Sequence, residues 1–171
     1  DDGFEAPGLR LLERVAATLS DDVWTVAPDQ EQSGASRALT LSMPVRVRER
    51  GEHRFSVAGT PTDCVHIAVT GVLEFTPDLV VSGINLGANM GDDTIYSGTV
   101  AAAAEGFLLG IPALAISLTS KAGEHFESAI GVALELVERL RRDPPRQPVL
   151  YNVNVPDVPP ARLAGVEVTR L

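Results

Sequence analysis

The chain has 171 residues, 44% apolar and 22% charged, enough for one domain with a sizeable core and at odds with disorder, collagen or a disulfide scaffold. Fourteen basic residues against 23 acidic ones leave a net charge of -9, a field that repels phosphate backbones and anionic membranes, so neither nucleic acid nor a membrane is an expected partner. Thirteen of the cations are arginine, and the one lysine, Lys121, stands outside any G-x-x-x-x-G-K-[ST] spacing, which excludes a Walker-type site.

Leu9, Leu12, Val15, Ala16 and Leu19 recur at helical spacing behind Pro7, so Pro7 to Ser20 is predicted as an amphipathic helix. Val23 to Ala27 reads as a short strand ended by Pro28, with a polar loop through Ser36. Between Leu39 and Val57 apolar residues alternate with Arg46, Arg48 and Arg50, and Gly51 signals a turn. This predicts an antiparallel hairpin, wet on one face and inserted in an otherwise α/β pattern. Thr60-Pro61-Thr62-Asp63 has the capping-box arrangement and starts a second helix. Leu79 to Ser82 is a continuous apolar strand running into Gly83 to Gly91, then Tyr96-Ser97-Gly98-Thr99, then an alanine-rich helix through Leu109. Pro112 to Leu118 is the next strand, Phe126 to Leu140 another long helix ended by Asp143-Pro144-Pro145, and Val149 to Val155 a further strand. The alternation predicts a three-layer, Rossmann-like α/β fold with a doubly wound, mostly parallel sheet and the inserted antiparallel hairpin.

Cys64 is the only cysteine, so no internal disulfide or multi-thiolate metal site is available, and its apolar neighbours place it in the core. A reducing, cytoplasmic compartment fits. No signal-peptide pattern and no run of 18 apolar residues is found. The chain opens at Asp1-Asp2 and stops at Val168-Thr169-Arg170-Leu171 within what reads as a strand, so it is expected to be the ordered part of something longer.

In open parallel sheets ligands bind beyond the carboxyl ends of the strands. Three loops there carry candidate chemistry: Asp1-Asp2-Gly3, Ser33 to Ser36, and Gly83 to Thr99. Adjacent carboxylates are ordinarily a solvated loop, the reading that suits Asp21-Asp22. Asp1-Asp2 differs, because glycine and a helix start follow it. Two carboxylates about 4 Å apart repel by about 4 kcal/mol at an effective dielectric of ~20, so a site holding both ionised needs a cation. Hard oxygen ligands select magnesium, manganese or calcium over zinc. The Ser33 hydroxyl and the Asn85 amide oxygen are candidates to complete such a site, although each alone is more ordinarily a turn or loop residue. Asn85, Asn89, Ser97 and Thr99 stand among Gly83, Gly87, Gly91 and Gly98 just before a helix, an arrangement that offers N–H groups and neutral donors to phosphate. Neither Ser33 nor Ser97 lies in G-x-S-x-G, and His53, His66 and His125 have no identifiable serine partner, His66 reading as structural. H-E-x-x-H, C-x-x-C and G-x-G-x-x-G are absent.

Several segments match one family in order: Asp1-Asp2-Gly3 with Ala6-Pro7-Gly8, Ala27-Pro28-Asp29 with Ser33-Gly34-Ala35-Ser36, and Gly59 to Val65. Val81 to Gly87, Gly91-Asp92-Asp93, Tyr96 to Ala103 and Asn152-Val153-Asn154-Val155-Pro156 continue the match over nearly the whole chain. Together they resemble the SurE survival-protein nucleotidases, metal-dependent phosphatases of nucleoside monophosphates. The resemblance implies one divalent cation per subunit, Mg2+ or Mn2+, held by Asp1, Asp2, Ser33 and Asn85, with Asp1 and Asp2 catalytic. It implies phosphate and substrate contacts from Asn89, Ser97, Gly98 and Thr99, and hydrolysis of nucleoside 5'- and 3'-monophosphates, with short polyphosphate as a further substrate. It also implies a homodimer or homotetramer, with the hairpin and the C-terminal segment extending from the sheet. Asp92 and Asp93 match too but read as loop and helix-cap residues.

The family carries an apolar strand ending in asparagine before its paired aspartates and continues beyond a position like Leu171, so the single domain over 1–171 is expected to lack both. The segment from Thr119 to Phe126 is also shorter than the family pattern. The chemistry expected is direct attack by water, with a cation acting as Lewis acid and lowering the pKa of that water, an aspartate taking its proton, and no phosphoenzyme. An aspartyl-phosphate phosphatase is disfavoured, because Asp1-Asp2-Gly3-Phe4 lacks a second acid two positions after the nucleophile. A non-catalytic nucleotide- or metal-binding module is the alternative from a different class.

Overall fold

A computed structural model describes residues 2–169 of the protein. Helix α1, Pro7–Ala17, opens with Pro7 where no N–H is needed and buries Leu12 and Val15 from the apolar stripe. Before Ser20 it tightens into i→i−3 bonds, Thr18 N–H donating to the Val15 carbonyl at 3.1 Å and Leu19 N–H to the Ala16 carbonyl at 2.9 Å. Strand β1, Thr25–Pro28, follows.

The hairpin is shorter than its alternation suggests and differently placed. Its strands are β2, Val47–Gly51, and β3, Arg54–Val57. Residues 39–45 join no ladder: Pro44 has no N–H to give, and both the N–H and the hydroxyl of Thr40 are taken by Asp63. β3 pairs antiparallel with β2 but also parallel with β1, at Val26 to Phe55 and Ala27 to Ser56. The expected insertion is therefore the edge of a mixed sheet in the order β1-β3-β2, and Ser56 and Val57 are buried as residues of an interior strand must be.

The second sheet is wholly parallel: β4, Val80–Leu86, β5, Ala113–Leu118, and β6, Leu150–Val155, in that order. β5 is central and buried along its whole length, as its unbroken apolar run requires. β4 continues through Gly83, Ile84 and Asn85, which read as the start of a loop in the sequence. The ladder to β5 slips between Ser82 and Asn85, where Gly83 stands at φ +131° and a Cβ would lie 2.4 Å from the Ile116 carbonyl oxygen. Glycine here marks an irregular, crowded strand rather than its end.

Helix α2, Pro61–Ile67, has the predicted reciprocal cap: Thr60 Oγ1 accepts from Asp63 N–H at 3.1 Å and an Asp63 oxygen accepts from Thr60 N–H at 2.9 Å. A π-helical turn over Ala68–Val72 extends it. The short α3, Asp93–Tyr96, precedes α4, Gly98–Leu108, and α5 runs from Phe126 to Arg142, ending before Pro144. α1 and α5 cover one side of the parallel sheet, and α4, with α2 beside it, covers the other. Leu114, Ile116 and Leu118 meet Leu12, Val15, Ala129 and Ala133 on the first side. Ala113 and Ala115 meet Val100 and Ala103 on the second. The strand expected at the C-terminus is not formed over 163–169, and Arg170 and Leu171 lie outside the described residues. Among the described residues no helix is long and apolar enough to cross a membrane.

Candidate active site at the strand ends

The segment carrying Asp2 is fastened to the carboxyl end of β1, since Phe4 N–H donates to the Pro28 carbonyl at 2.7 Å and Ala6 N–H to Gly3 at 3.1 Å. Gly3 holds φ +91°, and a Cβ on it would lie 3.2 Å from the Gln30 carbonyl carbon, so this turn rests directly on the loop leading to Ser33. Ser33 Oγ donates to Glu31 Oε1 at 2.8 Å, which leaves its lone pairs for a further partner. On the other sheet, Asn85 Nδ2 donates to the Gly87 carbonyl at 2.8 Å, and Gly87 N–H to Leu118 at 2.9 Å, which fixes the Asn85 amide with Oδ1 turned away from Gly87.

Between the sheets lies a cavity of about 80 Å3. Its floor is apolar, lined by Leu9, Val26, Ala27, Val80, Val81 and Cys64; its polar lining comes from Asp2, Ser82, Asn85 and Thr99 beside Gly3 and Gly83. Three of the residues singled out in the sequence, Asp2, Asn85 and Thr99, thus line one cavity. Ser33, Asn89, Ser97 and Gly98 do not line it, and Asp1 lies outside the described residues.

The glycine-rich segment and the start of α4 form the neighbouring part. Ser97 Oγ caps α4 by accepting from Val100 N–H at 3.1 Å, Gly98 is the first helical residue, and Thr99 is fully buried. The far end of α4 packs Gly106 against Val80, the first residue of β4, so its N-terminus lies toward the carboxyl ends of the strands. The aligned peptide dipoles leave about half a positive charge there, the sign a phosphate needs. Across the sheet, register aligns Asn85, Ser117 and Asn154 in one row. Ser117 shares its face with Ala115, which packs on α4, so that row lies on the α4 side. Asn89 sits above it, 7% exposed, with its N–H donated to Asn154 Oδ1 at 2.8 Å and its side-chain Nδ2 to Ser117 Oγ at 2.8 Å.

The donors fit a hard cation. Among the described residues no three His, Cys, Asp or Glu side chains are grouped to hold a metal; Asp2 and Asn85, which line the same cavity, carry a carboxylate and an amide oxygen, hard donors of the kind such a cation takes. Protein nucleophiles are poorly placed. Burial, reinforced by the Asp63 and Asp29 carboxylates, pushes the Cys64 thiol far above its ordinary range. His66 faces Glu105 Oε1 at 2.8 Å between α2 and α4, the structural role expected of it.

Sequence reasoning missed Ser117, Asn152 and Asn154 as parts of this region. The available signal was two amides at alternate positions of an otherwise apolar strand, which puts both on one face. Lys121 was also missed: its stem passes 3.9 Å from where a Cβ on Gly87 would sit, a proximity that a separation of 34 positions conceals (121 less 87).

Comparison with known proteins adds an independent line. The model of the family described as "Survival protein SurE" matches residues 1–171. The 5'-nucleotidase SurE of Methylobacillus flagellatus is 55% identical over 171 residues, covering 100% of this chain and 69% of the relative. That of Stenotrophomonas maltophilia is 54% identical over 173 residues, covering 100% and 67%. Among solved structures, the SurE protein from Aquifex aeolicus superposes with a TM-score of 0.92 at 38% identity, covering 99% of this chain and 68% of that one.

Proposed function

The chain belongs to the SurE family, and from that footing we propose that it is a metal-dependent phosphomonoesterase, a 5'-nucleotidase that converts nucleoside monophosphates to nucleoside and phosphate. The observation that carries this reading is the cavity lined together by Asp2, Asn85 and Thr99, three residues brought from distant parts of the chain to the strand ends. In this reading Asp1, Asp2, Ser33 and Asn85 hold one Mg2+ or Mn2+ per subunit, and Asn89, Ser97, Gly98 and Thr99 bind the phosphate. When bound, the cation supplies positive charge for the phosphoryl oxygens and lowers the pKa of water at the site.

The chain's own residues do the rest. One of the paired aspartates, Asp1 or the exposed Asp2, takes a proton from the attacking water in this reading. The N–H groups at the start of α4 and the Asn89 amide meet the charge that grows on the phosphoryl oxygens as the ester bond breaks. Thr99 and the apolar floor beneath it exclude water from behind the phosphate. The proposal extends to 3'-nucleotides and short polyphosphate as further substrates, to a cytoplasmic setting, and to a homodimer or homotetramer. Exposed Leu41, Met43, Ile95 and Tyr96 supply apolar surface for self-association.

The test is phosphate release from AMP with Mn2+ present. Wild type is expected to turn over, to stop on chelation, and to lose roughly 10²-fold or more on Asp2→Asn, the scale of losing a group that meets transition-state charge. Undiminished hydrolysis by the variant after chelation rejects the reading.

A further inference from the structure

Asn89 lies in a loop, where backbone groups normally face water, yet its main chain is held on both sides by amides of β6. Asn154 Oδ1 accepts from Asn89 N–H at 2.8 Å, while Asn154 Nδ2 donates to the Asn89 carbonyl at 3.1 Å. Asn152 Nδ2 donates to the same carbonyl at 2.8 Å. Ser117 Oγ of β5 accepts from the Asn89 side-chain Nδ2 at 2.8 Å. A side-chain amide, with its donor and acceptor on separate atoms, satisfies both the N–H and the C=O of one residue without adding charge. A carboxylate at 154 would still accept but not donate, and would set a negative charge near the phosphate.

Asn152 Oδ1 is buried with no hydrogen-bond partner among the described residues, a feature that a strand built only for stability would avoid with an apolar residue. We propose that Asn154, seconded by Asn152, is a positioning residue that sets Asn89 for the phosphoryl group. The inference rests on the nucleotidase reading and on the role given there to Asn89. A loop donor that drifts by about 1 Å from its productive place costs on the order of 10²-fold in rate, and two amides on a rigid strand prevent that drift.

The experiment is a double-mutant cycle on the full chain, read by phosphate release from AMP with Mn2+, together with calorimetric Mn2+ binding. Asn89→Ala and Asn154→Ala are each expected to lower kcat/KM by about 10²-fold, with the double variant no slower than Asn89→Ala alone. Mn2+ affinity is expected to be unchanged in Asn154→Ala, whose effect runs through Asn89 and not through Asp2 or Asn85. Full activity of Asn154→Ala, or losses that multiply in the double variant, overturns the inference. Should Asn154→Ala fail to fold, the uncharged Asn154→Ser decides: a native melting temperature with about a 10²-fold loss supports positioning, and native turnover rejects it. A wild type that releases no phosphate overturns the nucleotidase reading and this inference together. A wild type that turns over beside fully active Asn154 variants overturns this inference alone.

Discussion

Asp63 is 3% exposed, and its carboxylate accepts from Thr40 N–H and Oγ1 at 2.8 and 2.7 Å and from Thr60 N–H at 2.9 Å. Burial raises its pKa, but the hydrogen bonds with Thr40 and Thr60 outweigh it and hold the group below its usual 3.8. Since the folded value lies below the unfolded one, the stabilisation is complete above the unfolded pKa and is lost as the pH falls through the folded one. Urea midpoints of the wild type should therefore drop more steeply between about pH 5 and pH 3 than those of Asp63→Asn. At neutral pH that variant should cost about 1–3 kcal/mol. Parallel pH profiles would contradict this account. Half of the cluster was legible: Thr60 and Asp63 stand three apart in a capping box. The other half was not, because Thr40 reaches Asp63 only through the path of the intervening chain.

At the scale of elements, the contact of α1 with β4 spaces the two walls of the site. A Cβ on Gly8 would sit 2.0 Å from the Ile84 carbonyl oxygen, while a Cβ on Gly131 in α5 would meet nothing within 4 Å among the described residues beyond the helix's own backbone. Helix propensity favours alanine at both by about 1 kcal/mol. The opposite sign is expected at Gly8, where rigid backbone must yield: Gly8→Ala should cost about 2 kcal/mol or more and lower activity, because Asp2 precedes α1 and Asn85 follows Ile84. Gly131→Ala should gain about 0.5–1 kcal/mol. Thermal melts and AMP turnover of the two variants check this, and a stabilised Gly8→Ala would mean that α1 rides farther from β4. Helix spacing was visible because side-chain period is a local property. That Gly8 is an approach point rather than an ordinary helical residue depends on a strand 76 positions later, the interval from 8 to 84.

For the whole molecule, the site straddles two sheets that no ladder joins among the described residues: Asp2 is fastened to β1, and Asn85 belongs to β4. On the proposed reading, a cation shared by their oxygens would tie the halves together as well as serve the reaction. At a hundredfold excess over its dissociation constant it adds about 2.7 kcal/mol, or roughly 5–10 °C for a chain of this size. Mn2+ should raise the melting temperature of the wild type by that amount, chelation should reverse it, and Asp2→Asn or Asn85→Ala should abolish it. Equal shifts in all three proteins would place the ion elsewhere. The sequence by itself determined the α/β alternation, the helix starts at Pro7 and Thr60, the buried β5 and the oxygen-rich character of the candidate site. Each of these follows from residue type and from steric preferences spanning a few positions. Only the tertiary structure decided that β3 lies beside β1, that β4 runs on through Asn85, and that β6 amides grip Asn89. Those partnerships join residues far apart in the chain and are chosen by how the whole core packs, which leaves no periodic trace in any one segment.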